Sequence, residues 1–179
     1  MGQAGSITAK AQIHPLLRTF TQWDSSRIKE MVLRARKDLS ATFALRFGEF
    51  EHLLNRELVG HLLAKDIFHV IFDTDNNNMV DKYEVVSLSI FMSTLSTQKK
   101  VEFIFELFDC NDKGYLTRSE ISLAFITLSN ALQKGDNRRP MPTPLLIQRV
   151  IDNLFLGYTR KLHPTKIFRS DLLSFCTNR

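Results

Sequence analysis

The stretch Asp73-Thr-Asp-Asn-Asn-Asn-Met-Val-Asp-Lys-Tyr-Glu84 decides how this chain is read. Counted from Asp73 as position 1, oxygen-bearing side chains fall at positions 1 (Asp73), 3 (Asp75), 5 (Asn77), 9 (Asp81) and 12 (Glu84), and Met79 offers its backbone carbonyl at position 7. A hard cation such as calcium takes about six to eight oxygens, so a short loop must present alternate residues to it and close with a bidentate carboxylate from the next helix. Asn78 stands at position 6, where the sharp turn normally uses glycine. Asparagine is the non-glycine residue that best tolerates the left-handed conformation, so affinity is expected to fall without being lost.

Working outward, the loop is preceded by Leu58 to Phe72, apolar with helical spacing, and followed by a helix from about Lys82 to Leu95. The arrangement then repeats. Phe72 and Phe108, Asp73 and Asp109, Val80 and Leu116, and Glu84 and Glu120 are each 36 residues apart, which marks an internal duplication. The second loop, Asp109 to Glu120, keeps Asp109, Asn111, Gly114 at the turn, Tyr115 at the carbonyl position, Thr117 and Glu120. Its position 5 is Lys113, which supplies no oxygen and sets a positive charge beside the ion, so this loop is expected to be impaired. The alternative for it is a loop held shut by hydrogen bonds, with Lys113 paired to a loop carboxylate.

Position 8 of such a loop, here Val80, pairs with a partner loop, so degenerate partners are expected on both flanks. Asp38 to Glu49 puts Leu45 at position 8 and Glu49 at 12, but Thr42, Phe43 and Ala44 occupy positions 5 to 7. Arg160 to Asp171 puts Ile167 at 8 and Asp171 at 12, with Arg160 at 1 and Pro164 at 5. Neither can hold calcium; each completes a pair as a structural mimic.

Elsewhere the reading is also helical. Thr21-Gln-Trp-Asp24 has capping-box spacing and opens a helix through about Lys37 with Ile28, Met31, Val32 and Ala35 on one face. Further helices start near Arg46, at Gln98 (to about Phe108), near Thr117, at Pro144 with Thr143 as cap (to about Phe155), and near Ser170. The linker is Lys134 to Pro144, holding Gly135, Asp136, Asn137, Pro140, Pro142 and Pro144. The chain reads as all-α, with a tail over 1–20, one lobe over 21–97 and a second over 98–179.

On these residues the chain resembles the four-EF-hand calcium-sensor superfamily, closest in layout to its neuronal calcium sensor and calcineurin B-like branches. The resemblance covers roughly Thr21 to Phe175 and is most specific from Ile71-Phe-Asp-Thr-Asp through Asp109-Cys-Asn-Asp-Lys-Gly-Tyr-Leu. It implies calcium held by Asp73, Asp75, Asn77, Met79, Asp81 and Glu84, two lobes with degenerate outer hands, and action by binding a target helix or enzyme subunit. In a sensor, opening the first helix pair should expose part of the Phe68, Phe72, Val85, Leu88 and Met92 surface. Members of that superfamily are usually acidic, whereas this chain carries a net charge of +5.

Charge is uneven: −3 over 56–98, which holds the first loop, and +6 over 138–179. The basic ends can face an anionic membrane or an acidic protein surface. Met1-Gly-Gln-Ala-Gly-Ser6 fits the myristoylation pattern at Gly2, and one acyl chain needs such a second, basic signal to anchor. The chain's 179 residues can build a core without staples, and its two cysteines, Cys110 and Cys176, form no CxxC pair. With no signal sequence or long apolar run, the expected location is cytoplasmic, extending to peripheral membrane, cytoskeleton or cilium.

An enzyme is not expected, because His14, His52, His61, His69 and His163 form no HExxH and no phosphate loop or nucleophile motif is present. Nucleic-acid binding is not expected either, for want of a basic recognition helix. Two functions stay open: a calcium-binding regulatory protein that grips a target through an apolar groove, and a constitutive structural adaptor in a cytoskeletal or ciliary assembly to which calcium is incidental.

Overall fold

The computed structural model describes residues 14–37, 42–136, 140–158 and 165–177. Gly2, the opening residues of the 38–49 and 160–171 loops, and residues 137–139 of the linker lie outside the described residues. Among those described the chain is helical, with four short strands, as the sequence predicts. A 3₁₀ turn (Pro15–Gln22) leads into α1 (Ser25–Lys37), β1 (Ala44–Leu45), α2 (Phe47–Leu54), α3 (Arg56–Val59) and α4 (His61–Asp66). A π-helical segment (Ile67–Phe72), β2 (Val80–Asp81) and α5 (Lys82–Met92) complete the first half. The second half runs α6 (Thr97–Phe108), β3 (Tyr115–Thr117), α7 (Arg118–Gly135), α8 (Pro144–Tyr158), β4 (Lys166–Phe168) and α9 (Arg169–Thr177). No helix among the described residues is long and apolar enough to cross a membrane.

Helix limits differ from the spacing in several places: α5 ends at Met92 rather than near Leu95, α8 runs on to Tyr158, and three further differences have visible causes. Thr21 does not cap α1: its hydroxyl donates to the Arg18 carbonyl at 2.7 Å inside the 3₁₀ turn, and Asp24 accepts from the Arg27 amide at 3.0 Å instead. Pro15 fixes the start of that turn and displaces the cap by three residues. The Leu58–Phe72 stretch is no single helix, because Asn55 (φ 63°) and Gly60 (φ 78°) break the chain on either side of α3. The linker starts later than Lys134, since α7 continues through Gly135. The other caps follow the sequence, with the Thr117 hydroxyl and Glu120 carboxylate closing a capping box on α7 and Thr143 accepting from the Leu146 amide at 3.2 Å.

β1 and β2 pair antiparallel with Leu45 opposite Val80, and β3 and β4 with Leu116 opposite Ile167. Each position-8 residue thus faces the position-8 residue of its partner loop. Ladders of two and three residues add few hydrogen bonds; they set the register in which the flanking helices meet. The two helix pairs share one core, in which Phe20, Phe50, Phe68, Phe72, Phe105 and Phe108 are all buried. Each contributes roughly 1.5–3 kcal/mol by burial. The pairs meet chiefly where α5 lies on α7, at Gly135, where an added Cβ would sit 3.0 Å from Leu88 Cδ1 and 3.4 Å from Leu17 Cδ1.

Candidate metal centre

The loops at 73–84 and 109–120 have one backbone. Asp73 and Asp109, both buried, each end a helix, and positions 4 and 6 are left-handed in both: Asn76 (φ 55°) and Asn78 (φ 61°) in the first, Asp112 (φ 51°) and Gly114 (φ 75°) in the second. The first carboxylate of each loop gathers its amides. Asp73 accepts from the Asn78 amide at 3.1 and 3.2 Å, while Asp109 accepts from the Lys113 amide at 2.9 Å and the Gly114 amide at 2.8 Å. Asn78 therefore adopts the turn that glycine takes at the matching place, as expected for an asparagine there.

In the first loop, Asp75 and Asn77 are exposed and bonded to each other, Nδ2 to Oδ2 at 2.7 Å, and Asn77 Oδ1 also accepts from the Met79 amide at 2.7 Å. Asp81 caps α5 by accepting from the Tyr83 amide at 2.7 Å and the Glu84 amide at 3.1 Å. Burial raises the Asp81 pKa above the ordinary carboxylate value, against the lowering effect of its bond from the Glu84 amide. Glu84 does not fold back onto this loop. Its Oε1 accepts from Asn130 Nδ2 at 3.0 Å, and its Oε2 lies 2.7 Å from Lys134 Nζ; both partners stand on α7. The Lys134 ammonium pairs with Oε2 by charge without the alignment of a directed hydrogen bond, so Oε2 is a buried oxygen held by charge alone. Lys134 Nζ is also 2.9 Å from the Phe72 carbonyl, directly before the loop.

In the second loop the ammonium comes from within. Lys113 Nζ donates to Glu120 Oε1 at 2.6 Å, and Glu120 Oε2 accepts from the Thr117 amide and hydroxyl, both at 2.8 Å. The bond to Glu120 raises the Lys113 pKa. Burial works to raise the Glu120 carboxyl, but the bonds from Lys113 and Thr117 outweigh it and hold the group below its ordinary value. Tyr115 lies beneath the same ammonium, 5.3 Å from ring centroid to Nζ, and Asn111 is exposed. Arg36 of α1 donates to the Asp109 carbonyl at 2.9 Å and to Asp112 Oδ1 at 2.6 Å. The loops adjoin: Tyr83 stacks on Phe108 at 5.3 Å, and its hydroxyl is 3.7 Å from Cys110 Sγ.

The residues of the first loop fit calcium in kind. Four carboxylates and an amide stand at the alternate positions, the turn has the required hand, and the closing carboxylate keeps a buried oxygen held by a charge contact without a directed hydrogen bond. Among the described residues, however, no three His, Cys, Asp or Glu side chains converge to hold a metal. Asp73, Asp75 and Asp81 are tied by bonds within the loop and Glu84 is held by α7. Lys134, Asn130 and Arg36 were not legible from loop spacing, because each acts across tens of residues of sequence. In the sequence Lys134 reads only as a cation at the start of the linker that follows the second loop's helix.

A second feature is an apolar groove of about 290 Å³ between α5, α6, α7 and α9, lined by Ile90, Phe91, Val101, Ile104, Ile121 and Phe125 among others. The Ser87 hydroxyl on its wall is buried and has no hydrogen-bond partner. Phe68, Phe72, Val85 and Leu88 belong instead to the closed core, with Met92 half-buried beside it.

No protein-family model matches the chain. It is 27% identical over 114 residues to calcium-binding protein NCSA of Dictyostelium discoideum, a match covering 64% of this chain and 61%, less than two thirds, of that protein. It is 29% identical over 153 residues to calcineurin B type 2 of Bos taurus, covering 84% and 81%, and 24% identical over 137 residues to calcineurin B of Naegleria gruberi, covering 76% and 70%. These relatives are EF-hand calcium-sensor proteins, and the chain is similar to them in having loops that pair two by two across short antiparallel ladders.

Proposed function

We propose that the chain is a calcium-binding regulatory protein that takes one calcium at Asp73, Asp75, Asn77, Met79, Asp81 and Glu84 and grips a target protein through the groove between α5, α6, α7 and α9. The observation that carries this reading is the first loop, with its full oxygen set on a correctly handed backbone and a closing carboxylate oxygen held only by a charge contact. The relatives add support, one being named a calcium-binding protein and two being named as subunits of calcineurin, so the proposed partner is a larger protein of which this chain is a subunit or regulator. The chain acts by binding rather than by catalysis, in the cytoplasm, with Gly2 acylation and the basic C-terminal quarter as the means of reaching an anionic surface.

Calorimetric titration of the full chain is expected to give one calcium with a dissociation constant of about 10⁻⁷ to 10⁻⁵ M, lost in Glu84→Gln. Binding of anilinonaphthalene sulfonate, compared in calcium and in chelator, reads whether apolar surface changes with the ion. No heat and an unmoved melting temperature at millimolar calcium would overturn the reading.

The adaptor reading is favoured by one observation. The groove is open to solvent while Glu84 is held by Lys134, so a partner can sit there without the ion. Dye binding that is equal with calcium, with chelator and in Glu84→Gln would select it.

A further inference from the structure

Glu84 and Lys134 stand 50 positions apart, on helices that belong to different halves of the molecule. The Lys134 ammonium touches both ends of the first loop, through the Phe72 carbonyl at 2.9 Å and Glu84 Oε2 at 2.7 Å, while Asn130, one turn earlier on α7, takes Oε1 at 3.0 Å. The Glu84 side chain is only 9% exposed and Lys134 23%, so water screens this pair weakly. A monovalent ammonium thus rests against the carboxylate that must close over a divalent ion, and one of the two carboxylate oxygens lacks a directed donor.

We propose that Lys134 is a tethered competitor for the calcium site, so that calcium entering the 73–84 loop and release of the last turn of α7 are one event. This rests on the calcium reading of that loop. Glu84 cannot offer both oxygens to an ion in the loop while Oε1 is spent on Asn130 and Oε2 lies against Lys134. Affinity for calcium is lowered by whatever free energy the clasp holds, and α7, which leads directly into residues 136–143, feels the ion without touching it. Removing the ammonium also leaves Glu84 buried without its countercharge, which weakens the calcium-free state and so widens the gap that calcium closes. Linkage makes the effect reciprocal: whatever holds the end of α7 down weakens calcium binding by the same factor.

The test is calcium calorimetry, thermal melting and hydrogen exchange on the full chain, for wild type, Lys134→Met, which keeps the apolar stem, and Asn130→Ala. Lys134→Met is expected to bind calcium at least about fivefold more tightly and Asn130→Ala about twofold, with a larger calcium-induced rise in melting temperature for Lys134→Met than for wild type. In wild type, amides 131–135 are expected to lose protection on adding calcium. Equal dissociation constants in all three proteins, with amides 131–135 indifferent to calcium, would overturn the competition while leaving the calcium site standing. Absence of calcium binding in all three at millimolar concentration would bring down the calcium reading and this proposal with it.

Discussion

Glu84 and Glu120 hold the same position in two loops with the same backbone, yet one reaches out of its loop and the other folds into it. Glu120 is satisfied locally by Lys113 and Thr117. Glu84 is held at long range, by a hydrogen bond from Asn130 and a charge contact with Lys134. Both loops therefore carry an ammonium against the closing carboxylate, and they differ in whether it sits inside the twelve residues or arrives from another helix. The lysine within the second loop stands at an oxygen position, whereas the one from α7 leaves the oxygen set of the first loop complete. Backbone shape is common to the two loops; the origin of the cation is what differs.

Moving the lysine breaks the comparison most directly. Asn77→Lys puts into the first loop the lysine that the second carries at position 5, and it is expected to abolish calcium binding, a loss of at least about a hundredfold seen by titration. The reverse exchange, Lys113→Asp, removes the ammonium and restores an anionic oxygen, so stoichiometry should rise from one to two. Wild type binding two ions would show that Lys113 does not close its loop. Smallest should be the exchange at position 6. Gly114→Ala puts a Cβ on a left-handed residue and is expected to cost about 1–2 kcal/mol in urea unfolding with chelator, whereas Asn78→Gly should move stability by no more than about 0.5 kcal/mol. A large gain from Asn78→Gly would mean that the asparagine turn is strained.

What the sequence showed plainly was whatever repeats at short range. The 36-residue offset, the oxygens at alternate positions and the facing of Leu45 with Val80 and Leu116 with Ile167 all follow from one twelve-residue pattern. The first cap departs from its expected place because Thr21 and Asp24 both suit the role and only the turn begun at Pro15 decides between them. Gly60 lies in plain view within the Leu58–Phe72 pattern, where the apolar spacing predicts one helix but the backbone obeys the glycine. The clasp on Glu84 was hidden for a different reason. Lys134 reads as the first residue of a polar linker, and only α5 packing on α7 turns it toward the loop.

The π-helical turn before the first loop has a consequence for insertions and deletions. There the Asp73 amide bonds to the Phe68 carbonyl at 2.8 Å, five residues back, while the matching Asp109 amide bonds four back, to Phe105, at 2.9 Å. A π turn holds one residue more than an α-helix needs for the same winding. Deleting exposed Val70 should let this segment close into an ordinary α-helix, with Phe68 and Phe72 still facing the core. Deleting a residue from the middle of α6 offers no such slack: everything on one side would swing by about 100° and carry Phe105 and Phe108 off their shared face. The duplicated halves thus differ in how much length variation each can absorb, and the spare residue lies on the approach to the loop with the complete oxygen set.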